Sequence, residues 1–128
     1  MTGMNKEKLP PPSPLARAIG RKDIKAVQQI LRDGANVNAQ EGDGVDALSL
    51  AAILGFTDIA RVLLDWGAHV NAAGSNGATP LMKAINMDHT EMVRLLIARG
   101  ADVDATSKEG FTALIFAVLR NNVEGLRL

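Results

Sequence analysis

Cysteine is absent from the 128 residues of this chain. The absence excludes a disulfide framework, thiolate catalysis and a zinc site built on cysteine. It is also compatible with a reducing compartment.

Net charge and long apolar runs are lacking as well. Lysine and arginine together number 14, as do aspartate and glutamate, so the formal net charge is zero. Such a chain has no overall basic field to attract nucleic acid or an anionic membrane. No segment approaches the roughly 20 apolar residues of a transmembrane helix, and the polar start followed by prolines differs from a secretory signal. We therefore expect a location inside the cell, cytoplasmic or nuclear, with neither nucleic acid nor membrane as a partner.

A nine-residue segment, by contrast, is present three times at intervals of 33 residues. Its copies read LRDGANVNA at 31–39, LDWGAHVNA at 64–72 and IARGADVDA at 97–105. The same shift aligns three further sets of residues, which are Leu15, Leu48, Leu81 and Leu114; Ala18, Ala51, Ala84 and Ala117; and Gly44, Gly77 and Gly110. A fixed period of this length is typical of stacked repeat proteins, in which each unit packs on its neighbours.

The repeat resembles the ankyrin repeat. Its best copy begins NGATPL at 76–81 and ends EMVRLLIARGADV at 91–103. The resemblance implies an all-α solenoid of stacked helix-turn-helix units with short hairpin tips. It also predicts repeats at 13–40, 41–73, 74–106 and 107–128, the last of them incomplete. The charged and proline-rich composition of residues 1–12 predicts a flexible tail before them.

Local signals place the helices within each repeat. Ser13, Asp46 and Thr79 are predicted to cap the first helices, because their side-chain oxygens can accept an unpaired backbone N–H. Gly34, Gly67 and Gly100 are predicted to follow the second helices in a left-handed conformation. Two further expectations are a cap at Thr112 and a break between paired helices at Gly55. The residues PPSP at 11–14 also satisfy the P-x-x-P spacing that an aromatic groove can bind.

Residues that could carry chemistry have structural explanations. His69 lies in a turn and His89 at the start of a second helix, and the repeat fixes no nucleophile near either. Glu41, Asp43 and Asp46 lack the residue order of a calcium loop, so we interpret them as a solvated hairpin tip, with weak cation binding as the alternative. We expect no catalytic residue, no metal site and no cofactor.

The resemblance implies a non-catalytic module that binds a protein or peptide through hairpin tips and the concave face of the first helices. Transferring those positions to this sequence selects Val45, Ile53, Leu54, Trp66, Asn86, Met87, Arg99, Phe111, Leu119 and Arg120. Trp66 is notable because its sister repeats have Asp33 and Arg99 at that position. Tryptophan and arginine are enriched among binding hot spots. The alternative is that Trp66 folds onto the next hairpin.

The apolar sequence of repeat four indicates a second function. Its first helix reads LIFAVL at 114–119, and a helix that is apolar on all sides is expected to be buried. Either a longer array continues beyond Leu128 or a partner covers this face. The alternative function is therefore a structural assembly element that self-associates through Ile115, Phe116 and Val118.

Two asparagines occupy the turn after the second helices, Asn38 and Asn71. The resemblance implies that they are candidates for hydroxylation by an oxygen-sensing dioxygenase. The alternative role is a turn hydrogen bond, and repeat three has Asp104 at this position.

Overall fold

The computed structural model describes residues 10–74, 76–115 and 117. Within these ranges six helices form three pairs, each joined by a short connection. They are α1 (Pro14–Gly20) and α2 (Ile24–Arg32), α3 (Ala47–Leu54) and α4 (Thr57–Asp65), and α5 (Pro80–Asn86) and α6 (Thr90–Ala98). Residues 113–115 and 117 are helical as well.

The helix pairs stack in two layers. In the first layer α3 packs between α1 and α5, and in the second layer α4 packs between α2 and α6. The core comes from positions that repeat along the sequence, including Leu48 and Leu81, which are each 1% exposed. Ala18, Ala51 and Ala84 are fully buried, and their small side chains allow the first helices to approach closely. The prediction of an all-α solenoid is confirmed.

The predicted caps begin the first helices. The Ala16 N–H donates to Ser13 Oγ at 3.1 Å, and the Ser49 N–H donates to Asp46 Oδ1 at 2.9 Å. The same bond joins Met82 to Thr79 Oγ1 at 3.3 Å and Ile115 to Thr112 Oγ1 at 3.2 Å. Each satisfies one of the unpaired donors at a helix N-terminus.

Left-handed residues end the helices where the sequence predicts them and also at two other positions. Gly34, Gly67 and Gly100 follow the second helices with positive φ, and Gly55 separates α3 from α4 at φ 75°. The positions equivalent to Gly55 in the neighbouring repeats hold Lys22 at φ 60° and Asp88 at φ 63°. The connection between paired helices therefore needs this conformation even where a side chain makes it costly.

Tight hairpins project between successive helix pairs. Their ends are joined by N–H to carbonyl bonds from Glu41 to Val45 at 3.0 Å, from Gly74 to Ala78 at 3.2 Å and from Ser107 to Phe111 at 2.8 Å. The Lys108 N–H also donates to the Asn76 carbonyl at 3.0 Å, which links two hairpins directly. These are the short tips that the repeat pattern predicts.

Contacts to repeat one reach into the predicted tail. Arg17 Nη1 donates to the Pro12 carbonyl at 2.7 Å. The carboxylate of Glu41 accepts both the N–H of Ser13, at 2.9 Å, and its hydroxyl, at 2.7 Å. The end of the predicted tail is therefore held beside the first hairpin, while residues 1–9 lie outside the described part of the chain.

Candidate functional site

Two grooves lie where the first helices meet the hairpins. The N-terminal groove, of about 390 Å³, is lined by Pro10, Pro12, Ala16, Arg17, Gly20, Glu41, Gly42, Asp43, Val45 and Leu50. The central groove, of about 290 Å³, is lined by Ile53, Asn76, Ala78, Met82, Lys83, Asn86 and Met87. Both occupy the same place in successive repeats, and we call the surface that carries them the first-helix face.

Four predicted contact residues form a strip on this face, at the ends of α3 and α5. Leu54 is 37% exposed and Met87 is 46% exposed. Ile53 is half-buried, and Asn86 is exposed. The packing of α3 against α5 brings the four together, and three of them line the central groove. We call Ile53, Leu54, Asn86 and Met87 the apolar strip; Leu119 and Arg120, predicted to extend it, lie outside the described residues.

The hairpin residues border the same face. Val45 is half-buried and lines the N-terminal groove. Phe111 is half-buried at the last described hairpin. Both residues therefore lie at hairpins, and their contact with a partner stays a prediction.

Trp66 and Arg99 lie elsewhere, directly after α4 and α6. α4 returns from the end of α3 over nine residues, about 13 Å at 1.5 Å per residue. Trp66, 45% exposed, therefore lies at the opposite end of its helix pair from Leu54. The predicted contact residues occupy two surfaces rather than one.

Arg99 has a partner within the chain. Its Nη2 donates to Asp65 Oδ1 at 2.9 Å and joins the ends of α6 and α4. The side chains of both residues are substantially exposed, so the pair contributes at most about 1 kcal/mol to stability. This structural role was not predicted from the sequence.

The sequence analysis also missed one set of equivalent residues on the first-helix face. Arg17, Leu50 and Lys83 lie four residues before Arg21, Leu54 and Met87 respectively, and all three line a groove. Residues four apart on a helix lie on the same side. Including the residues one helical turn before Arg21, Leu54 and Met87 would have found them.

The three acids around the first hairpin, Glu41, Asp43 and Asp46, accept hydrogen bonds from the chain itself. Glu41 binds Ser13, Asp46 caps α3, and Asp43 Oδ1 accepts the Val45 N–H at 3.1 Å. Among the described residues no group of three or more histidine, aspartate or glutamate side chains could hold a metal ion. In the same residues no helix is long and apolar enough to cross a membrane.

His89 connects repeats two and three. Its Nε2 lies 2.9 Å from the Ile53 carbonyl, so Nε2 carries the proton and donates. That carbonyl belongs to the last turn of α3, where carbonyls have no partner within the helix. His69, the other histidine, is exposed in its turn, and its backbone N–H donates to Asn38. Both positions have the structural explanations that the sequence predicts.

The turn asparagines also connect neighbouring repeats. Asn38 Oδ1 accepts the His69 N–H at 2.8 Å, and its Nδ2 donates to the Gly67 carbonyl at 3.1 Å. Asn71 makes the same two bonds to repeat three, with Asp102 at 2.7 Å and with Gly100 at 3.4 Å. Hydrogen bonding in the turn is thus observed. Hydroxylation stays a prediction, which mass spectrometry of the chain from its source would check.

We expect Asn38→Ala and Asn71→Ala each to lower the free energy of unfolding by about 1–2 kcal/mol, because each removes two hydrogen bonds between repeats. Urea unfolding followed by circular dichroism measures the change. Asn86→Ala is the control, since Asn86 is exposed and no side-chain hydrogen bond to it is seen among the described residues. Losses no larger than that of the control would contradict the structural role.

The residues proposed for self-association are only partly described. Ala113 is buried, whereas Leu114 is 70% exposed and Ile115 is 37% exposed. Phe116 and Val118 lie outside the described residues. The described start of the first helix of repeat four therefore exposes two large apolar side chains to solvent.

Comparison with known families accounts for most of the chain. The family model described as "Ankyrin repeats (3 copies)" matches residues 70–128. The model described as "Ankyrin repeat" matches residues 43–75. No curated protein matches the chain.

Proposed function

The chain belongs to the ankyrin repeat family, and from this premise we propose that it is a non-catalytic module that binds a protein or peptide on the first-helix face. Ankyrin repeats are generally protein–protein interaction modules. The observation that carries the proposal is the exposure of Leu54 and Met87 in the apolar strip, three residues of which line the central groove.

The fold does not require apolar residues at these two positions. Repeat one has Arg21 at the equivalent place, at the end of α1, and the same helix geometry results. Exposed large apolar side chains that cluster beside a groove are typical of interaction sites. The apolar strip is therefore better explained by a partner than by stability.

The remaining predicted contacts receive separate roles. We assign Val45 and Phe111 to the hairpin border of the same site. Trp66 and Arg99 belong to a second contact surface, available to a partner larger than a peptide. Such a partner would contact the apolar strip and the ends of the second helices together.

Selection of peptides from a random library on the immobilised chain tests the proposal. Enriched peptides should shift the backbone amide resonances of the apolar strip and the central groove, while those of α4 and α6 stay in place. The same peptides should compete with one another for one site. Failure to enrich any peptide that binds this face would contradict the proposal.

A second candidate function is self-association through repeat four, favoured by the exposure of Leu114 and Ile115. Covering apolar area contributes about 25 cal/mol per Å², so a few hundred Å² would favour contact at high concentration. We expect the double variant Leu114→Lys and Ile115→Lys to remain monomeric where the unmodified chain dimerises. Sedimentation equilibrium up to millimolar concentration measures the difference.

The matched control for self-association is Ile97→Lys, which changes a 50% exposed apolar residue on α6. This variant should dimerise like the unmodified chain. An unmodified chain that stays monomeric over the whole range would exclude the second candidate.

A further inference from the structure

We propose that the segment bound on the first-helix face is an acidic peptide, with apolar residues that pack on the apolar strip and carboxylates that pair with Arg17, Arg21 and Lys83. The inference rests on the proposed function and adds the chemistry of the partner. It follows from how the chain distributes and pairs its charges.

Two of the described first helices, α1 and α5, carry a cation, and none of the three carries an acid. Their sequences are PLARAIG for α1, ALSLAAIL for α3 and PLMKAIN for α5, and none contains aspartate or glutamate. Arg17 and Arg21 are exposed at α1, and Lys83 lines the central groove beside Met87. The positive charges therefore lie at one end and along one side of the apolar strip.

These cations differ in one respect from the arginines on and directly after α4 and α6. Arg61 pairs with Asp58 at 3.2 Å, Arg94 with Glu91 at 3.2 Å, and Arg99 with Asp65 at 2.9 Å. In the part of the chain that the structure describes, neither Arg17, Arg21 nor Lys83 takes part in an ion pair. These three arginines are paired with acids of the chain, and the three cations of the first-helix face are not.

Two acids line the N-terminal groove of this face, and both are hydrogen-bonded to the chain itself. Both Glu41 oxygens accept hydrogen bonds from Ser13, and Asp43 Oδ1 accepts the Val45 N–H. Arg17 uses one donor on the Pro12 carbonyl, which leaves most of its five N–H groups available. A guanidinium with free donors binds a carboxylate well, since the two groups match in shape and charge.

An acidic peptide fits this surface better than a nucleic acid does. Single-stranded nucleic acids stack their bases on aromatic side chains, and the apolar strip contains none. The chain also has zero formal net charge, so it lacks the overall positive field that draws in a polyanion. Leucine and methionine beside isolated cations suit a peptide that alternates apolar and acidic residues.

The test uses the peptides selected on the full chain, labelled with fluorescein. We expect the enriched sequences to carry net negative charge, compared with the unselected library. Their affinity should fall as salt rises from about 50 to about 500 mM, because salt screens exposed charge pairs. A neutral or basic enriched set that still binds the apolar strip would overturn the inference and leave the proposed function standing.

Charge-removing variants locate the effect. Lys83→Gln and Arg21→Gln should each weaken binding of the selected acidic peptide about 3- to 10-fold and reduce its dependence on salt. Arg61→Gln is the matched control, since it removes an arginine that is already paired on α4, and it should leave the affinity unchanged. Equal losses from all three variants would show a non-local charge effect and overturn the assignment.

Two further outcomes separate the inference from the proposed function. If no peptide is enriched on the first-helix face, both are overturned. If a single-stranded oligonucleotide displaces the selected peptide and binds more tightly, the partner is a nucleic acid and the acidic peptide is excluded.

Discussion

Replacing Gly55 by alanine should lower the free energy of unfolding by about 2–3 kcal/mol, through backbone strain and a steric conflict between repeats. Gly55 has φ 75°, where an L-residue costs about 1–2 kcal/mol. An added Cβ would also lie 2.6 Å from Nδ1 of His89. The imidazole could move only by breaking its bond to the Ile53 carbonyl, at a net cost of about 1 kcal/mol.

A double-mutant cycle separates the two causes. In a His89→Ala background the steric conflict is gone, so Gly55→Ala should cost only the backbone strain, about 1–2 kcal/mol. Urea unfolding of the unmodified chain, both single variants and the double variant gives the coupling energy. A cost for Gly55→Ala that is the same in both backgrounds would show that His89 does not constrain position 55.

The neighbouring repeats show that the strain alone is tolerated. Lys22 and Asp88 occupy the positions equivalent to Gly55 with φ near 60°. Position 55 differs from these because a Cβ there would lie 2.6 Å from Nδ1 of His89 in the next repeat. Since a repeat array is held together only by contacts between neighbours, a conflict at this junction weakens the coupling of repeats two and three.

Features that depend on a few consecutive residues were predicted well from the sequence. A hydroxyl or carboxylate before an apolar stripe caps a helix by local geometry, and Ser13, Asp46 and Thr79 do so. A glycine after a helix supplies a left-handed residue for the same local reason, as at Gly67. The repeat period then placed these elements in register, which is why the fold was predictable.

Contacts between repeats were not predicted in detail. The bonds of Asn38 to Gly67 and of His89 to Ile53 join residues 29 and 36 positions apart. Their formation depends on how closely the helix pairs stack, and a sequence pattern does not give that distance. The pairing of Arg99 with Asp65 was missed for the same reason.

The division of the candidate site into two surfaces has a geometric origin. Aligning the repeats by 33 residues shows that Leu54 and Met87 occupy the same position of the repeat, as do Trp66 and Arg99. Such an alignment does not show which positions of the repeat are neighbours in space. The return of α4 against α3 separates the ends of the two helices, so Trp66 lies away from the apolar strip.

Replacing Leu54 and Met87 together by glutamine should weaken binding of a peptide selected on the first-helix face by a factor of at least about 25. Truncating a large apolar contact costs about 1–3 kcal/mol, which is about 5- to 150-fold for each residue. Glutamine removes the apolar contact without adding charge, so the loss reports packing rather than electrostatics. Fluorescence anisotropy with the labelled peptide measures the affinity.

Two controls accompany this binding measurement: the stability of the double variant, and a substitution on another surface of the chain. Both side chains are already substantially exposed, at 37% and 46%, so the free energy of unfolding should change by less than about 0.5 kcal/mol for each substitution. Ile97→Gln changes an apolar residue of α6 that is 50% exposed, and it should leave binding intact. If Ile97→Gln weakened binding as much as the double variant, the partner would contact the second layer. Undiminished binding by the double variant would remove the apolar strip from the site, because no other large apolar side chains are as exposed at the described ends of α3 and α5.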